Sequence, residues 1–110
     1  MDGWHGTLER ALESLSGNSK TATLFVHGSL KVMMYCPQGE DKQIPHDRDE
    51  VYFIAKGTGE FQLGESRFAY GPGDTIFVPA GADHRFAEFS DDLASWVIFY
   101  GPKGGEAEQT

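Results

Sequence analysis

The chain has 110 residues, a formal net charge of −8, 39% hydrophobic and 13% aromatic residues, and one cysteine. That length suits one compact core, and the nine basic residues, scattered singly, cannot offset the acidic balance against a phosphate backbone, so a nucleic-acid partner is excluded. No run approaches the ~18 apolar residues of a membrane span, and Met1 to His5 lacks the basic-then-apolar pattern of a secretory leader. The expectation is a cytoplasmic protein with no membrane partner.

Residues 7–16 place Leu8, Leu12 and Leu15 at i, i+4 and i+7, with Thr7 as N-cap and Gly17-Asn18 as a stop, which predicts one short amphipathic helix in an N-terminal segment, 1–20. From residue 21 the pattern changes to short β-rich runs, predicting eight strands over Thr21 to Val26, Leu30 to Cys36, Glu50 to Ala55, Glu60 to Leu63, Ser66 to Tyr70, Thr75 to Val78, His84 to Phe89 and Ala94 to Tyr100. Lys56-Gly57-Thr58-Gly59, Leu63-Gly64-Glu65 and Tyr70-Gly71-Pro72-Gly73-Asp74 are turn clusters that read as hairpins and corners. The fold class is therefore all-β, a sandwich or barrel over 21–100. Cys36, at the end of an apolar run, reads as a buried thiol. The Gly- and Glu-rich segment 101–110 offers no apolar residue larger than alanine and reads as a flexible tail.

Chemistry concentrates in two segments. In Gly73-Asp74-Thr75-Ile76-Phe77-Val78-Pro79-Ala80-Gly81-Ala82-Asp83-His84, a turn, a short apolar strand, a terminating proline and a reversing glycine deliver a histidine to the start of the next strand, a fixed position suited to metal binding or acid/base work. In His46-Asp47-Arg48-Asp49-Glu50-Val51-Tyr52-Phe53-Ile54-Ala55-Lys56-Gly57, Glu50 opens a strand on which positions 50, 52 and 54 share one face, as do His84, Phe86 and Glu88 on theirs. Two such faces meeting inside a barrel bring imidazole and carboxylate into an apolar cavity, where a divalent cation offsets buried charge.

The first of these segments resembles the second conserved motif of the cupin superfamily, G-x5-P-x-G-x2-H-x3-N, with Glu88 at the final Asn. The other resembles the latter half of the first cupin motif, G-x5-H-x-H-x3-4-E-x6-G, with Ile44 where the first histidine belongs. The resemblance spans residues 21–100 and implies a double-stranded β-helix of jelly-roll type, a homodimer, and one divalent transition metal held by His46, Glu50 and His84, its identity open among Fe, Mn, Ni, Zn, Co and Cu. Ile44 cannot bind metal, so either the amide oxygen of Gln43 completes the site, or the centre is a more open two-histidine, one-carboxylate site, or the metal is lost.

Around this centre Tyr52 and Glu88 are acid/base candidates, with a core role the alternative for Tyr52, and Phe86 is a candidate pocket wall. Arg48 is a candidate for steering an anionic small-molecule ligand, although Asp47-Arg48-Asp49 also reads as a solvated turn. Trp96, Phe99 and Tyr100 are expected to pack the last strand in the core or against a second subunit. Cupins span dioxygenases, isomerases, epimerases, decarboxylases, sensors and storage proteins. A dioxygenase-like metal enzyme is the leading expectation, with a non-catalytic ligand-binding module or a sugar isomerase or epimerase as alternatives.

Overall fold

A computed structural model of the chain describes residues 2–107. One helix, α1 (Leu8–Glu13), precedes eight strands: β1 (Thr21–His27), β2 (Leu30–Tyr35), β3 (Asp49–Lys56), β4 (Gly59–Leu63), β5 (Ser66–Tyr70), β6 (Thr75–Val78), β7 (His84–Phe89) and β8 (Ala94–Tyr100). Each expected strand is present. The helix is shorter than expected because Ser14 turns its hydroxyl back onto the Arg10 carbonyl at 2.9 Å, and Leu15 donates its N–H to Leu12 in a tightened last turn. Thr7 caps it as expected, accepting from the Arg10 N–H at 3.2 Å.

The strands form two antiparallel sheets, one ordered β1-β2-β8-β3-β6 and the other β5-β4-β7. Alternation sets their inner faces: Glu50, Tyr52 and Ile54 on β3 and Ile76 and Val78 on β6 are buried, whereas Phe53 and Phe77 between them are exposed. Tyr52, Ile76, Val78 and Val97 from the larger sheet meet Phe61, Tyr70 and Phe86 from the smaller one in a single core cluster. The aromatic rings pack edge to face, with Tyr52 and Phe61 at 5.2 and 4.9 Å from Phe86, both at 82°. This is the jelly-roll double-stranded β-helix.

A second, smaller cluster joins Ala11 of α1 to Met34 and Ala94, with Leu8, Leu12, Leu15, Cys36 and Trp96 around it, so the helix closes one side of the larger sheet. Cys36 is half-buried there, and burial pushes its thiol pKa up although Lys56 pulls the other way. Gly57, at φ +99°, stands so close to Leu93 that a Cβ would lie 2.7 Å from its Cα, so that corner admits only glycine.

Two readings of the sequence need correction. The inward parity expected for Glu88 fails at a β-bulge: Phe61 pairs Phe86 but Glu60 pairs Glu88, leaving Ala87 as the extra residue and turning Glu88 outward, where it meets Arg67 at 3.6 Å. Asp49 is not part of a solvated turn. It is buried, and its carboxylate accepts from the N–H groups of Ala80 and Glu106, both at 2.9 Å. Through that contact, and a bond from the Gly104 N–H to the Asp47 carbonyl at 2.6 Å, residues 104–106 lie back against the barrel. The end of the tail, 108–110, falls outside the described residues.

Candidate metal centre

Two segments bring the candidate ligands together. The loop after β2 carries Gln43 and His46 into β3, which opens on Asp49 and Glu50, and the turn after β6 carries Pro79 and Gly81 into β7, which opens on His84. Backbone bonds lock one segment to the other: the Gly81 N–H donates to the His46 carbonyl at 2.7 Å, beside the Ala80 N–H to Asp49 contact. Gly81 has φ +81°, the left-handed conformation this reversal needs.

At the point of convergence, His84 Nε2 lies 2.9 Å and His46 Nε2 3.8 Å from Glu50 Oε1, and one ligand atom from each residue lies within 4.8 Å of the other two. Glu50 is 1% exposed, yet neither of its oxygens nor His84 Nε2 makes a hydrogen bond among the described residues, although Nε2 and Oε1 stand 2.9 Å apart. A buried carboxylate left this way costs several kcal/mol. Atoms bound to one cation at ~2.1 Å stand roughly 3 to 4 Å apart, so the two imidazole separations from Glu50 fit one metal. His84 Nδ1 is 2.9 Å from the Ala82 carbonyl, which can only accept, so the neutral ring carries its proton on Nδ1 and turns the Nε2 lone pair toward Glu50. Burial alone lowers the His84 pKa, but Glu50 and the Ala82 carbonyl outweigh it and hold the value above 6.5.

Gln43 enters the same site. Its Oε1 is 3.4 Å from His46 Nε2 and accepts from the Tyr52 hydroxyl at 2.9 Å. Ile44, at the vacated histidine position, is 72% exposed and points away. Tyr52 is fully buried, and burial, reinforced by the Glu50 charge, raises its phenol pKa well above 10. Phe86 packs beneath the centre as core rather than as a wall of the cavity.

That cavity, about 90 Å³, is bounded by Met33, Tyr35, Gln43, His46, Glu50, Val97 and Phe99. Its mouth continues, past Met33, His46 and Phe99, into a shallower depression edged by Lys31, Asp47 and Arg48. Arg48 is fixed there by a 2.7 Å bond to the Ser29 carbonyl and lies over the Phe99 ring at 5.7 Å. Of the last-strand aromatics, Phe99 thus faces the site and Trp96 the helix cluster.

Sequence reasoning missed Asp41. It is 4% exposed and accepts from the Tyr35 hydroxyl at 2.5 Å, the Gln43 side-chain amide at 2.9 Å and the Phe86 N–H at 2.8 Å. Within Glu40-Asp41-Lys42-Gln43 it looks like any residue of a charged loop. The only available signal was its place two residues before Gln43, the spacing of an Asx turn.

The description of one protein-family model, Cupin_2, is "Cupin domain", and it matches residues 31–100. The chain belongs to the cupin superfamily. An uncharacterized protein of Streptomyces coelicolor is 38% identical over 63 residues, 57% of this chain and 60% of that protein, so the match spans less than two thirds of this relative. A cupin-2 domain protein of Shewanella frigidimarina superposes with a TM-score of 0.68 at 15% identity, over 86% of this chain and 93% of the other. A cupin 2 conserved barrel protein of Salinispora arenicola gives 0.67 at 18% identity, over 92% and 91%. These two likenesses show the cupin fold. A chain from crystal structures of DMSP lyases is 25% identical, with a TM-score of 0.58, over 70% of this cupin and 41% of that chain. Cupins commonly bind a metal, and the donor set here fits one.

Proposed function

We propose that this cupin is a small-molecule enzyme of dioxygenase-like type that works through one divalent transition metal held by His46, Glu50 and His84. The observation that carries the reading is the buried Glu50 carboxylate, whose oxygens lack hydrogen bonds and lie at ligand spacing from two imidazoles. Two histidines and one carboxylate with open positions suit non-haem iron, and the bound ion would supply a Lewis acid and a binding point for dioxygen.

The chain's own groups do the rest. Met33, Val97 and Phe99 line a narrow apolar cavity that selects a small ligand and excludes bulk water. Lys31 and Arg48 at its mouth favour an anionic group, such as a carboxylate, in a protein otherwise strongly acidic. Tyr52 places a phenolic proton beside Gln43, where it can serve a bound oxygen atom.

Untagged protein analysed for metals, then reconstituted with Fe(II), Mn(II), Ni(II) or Zn(II) and offered a panel of small acids, tests this. The expected result is one metal per chain and substrate-dependent oxygen consumption. Turnover without oxygen consumption moves the reading to lyase or isomerase chemistry, for which the likeness to a DMSP lyase chain is support. A ligand that binds tightly and is recovered unchanged makes the barrel a sensor. No stoichiometric metal with any of the four ions sinks the proposal.

A further inference from the structure

We infer that Gln43 Oε1 is the fourth protein ligand of this centre, replacing the histidine lost at position 44, and that Asp41 is the residue that positions it. The inference rests on the metal reading above.

The orientation of the Gln43 amide is fixed by chemistry. Its Nε2 is a donor and faces Asp41 Oδ2 at 2.9 Å; the flipped amide would set oxygen against carboxylate oxygen. The carbonyl end must therefore face the site, where one lone pair accepts from Tyr52 at 2.9 Å and the other is directed at His46 Nε2, 3.4 Å away, accepting from it when that nitrogen carries the ring proton and turned to a cation when His46 gives up that proton to bind metal. That separation is what two atoms on one cation at ~2.1 Å show. Asp41 is equally constrained, because it is held by groups from three directions: the Tyr35 hydroxyl on β2, the Phe86 N–H on β7, and the Gln43 backbone and side chain. A buried carboxylate anchored to both sheets grips the amide and aims its oxygen inward. Pro45 and the exposed Ile44 explain why the chain needs this device, since the backbone there carries position 44 toward solvent and brings position 43 to the centre instead.

Co(II) and Zn(II) are the probes, with affinity read by competition against a chromophoric chelator and geometry by the Co(II) visible spectrum. Gln43→Ala is expected to weaken Co(II) binding about 10- to 100-fold, the range for losing an oriented group at a metal site, and to change the spectrum as water replaces the amide. Gln43→His is expected to recover the affinity with a spectrum shifted by a third imidazole. Asp41→Asn should weaken binding in the wild-type background but add little to Gln43→Ala, because its effect runs through the amide; a merely structural role would add in both. Should Asp41→Asn fail to fold, the Gln43 side-chain NH2 resonances of wild-type protein, identified by their loss in Gln43→Ala, report the same arrangement: they are expected to be protected and to shift on adding Zn(II). Unprotected resonances that Zn(II) leaves in place overturn it. A Gln43→Ala protein with wild-type affinity and spectrum also overturns it while leaving the three-residue centre standing. Wild-type protein that takes up neither ion removes the centre itself.

Discussion

The backbone N–H of Gly81 donates to the carbonyl of His46 at 2.7 Å, joining the turn that leads into His84 to the loop that leads into Glu50. Two ligand-bearing segments far apart in sequence are thereby held in one register before any metal arrives. Gly81 has open space around its Cα, so a methyl group there meets no neighbour and only the backbone is strained. Gly81→Ala should therefore cost ~1–2 kcal/mol, the left-handed penalty for an L-residue, and lower stability and Zn(II) affinity together. Urea unfolding and chelator competition on the same variant check this; a loss of stability with unchanged affinity would uncouple the turn from the site.

Asp49 makes a parallel clamp, accepting from Ala80 on one side and Glu106 on the other. Asp49→Ala leaves the Ala80 N–H without its partner and releases residues 104–106, at a cost of ~1–3 kcal/mol for the buried donor. Limited proteolysis should then cut after Lys103 in the variant well before the wild type, and equal cleavage rates would show that the tail is not held by this contact.

Much of this was legible in the sequence because it rests on periodicity and punctuation. Glu50, Tyr52 and Ile54 point inward by strand parity, and Pro79 and Gly81 place His84 at a strand start. What parity could not reach were the places where alternation breaks. The bulge at Ala87 reversed Glu88, and no local pattern announced it, because a bulge is set by the pairing of β7 with β4. Asp41 and Asp49 were hidden for a related reason: a loop carboxylate is buried by what distant N–H groups require of it, and Phe86 and Ala80 lie 45 and 31 residues away.

The buried Glu50 carboxylate, without a hydrogen bond among the described residues, makes a prediction about metal removal. With metal at ~100 times its Kd, binding adds about 2.7 kcal/mol, which for a chain of this size is a melting shift of roughly 10 °C or more. Chelation should lower the Tm of the wild type by that order, whereas Glu50→Gln should melt independently of chelator and no lower than the metal-free wild type, since a neutral amide replaces a buried charge. Differential scanning calorimetry with and without chelator measures both, and a wild-type Tm indifferent to metal would speak against a bound ion.

Alkaline pH tests the aromatic core through Tyr70. Tyr70 is buried on β5 and donates to the Glu88 carbonyl at 3.2 Å; burial, with the charge of Asp41 adding to it, pushes its pKa from 10.0 up to about 12. In the unfolded chain the same phenol loses its proton near pH 10, so between pH 10 and about 12 the unfolded state is the one that has released it. Stability is fully present below pH 10 and declines as pH rises through that window. Tyr35, raised further by burial and by its bond to Asp41, acts in the same direction from about pH 10 upward. Tyr70→Phe should lose about 1 kcal/mol at neutral pH with its hydrogen bond, yet fall less steeply above pH 10, so that urea midpoints of the two proteins converge as pH rises. Parallel curves from pH 8 to 12 would mean that Tyr70 ionises as freely folded as unfolded.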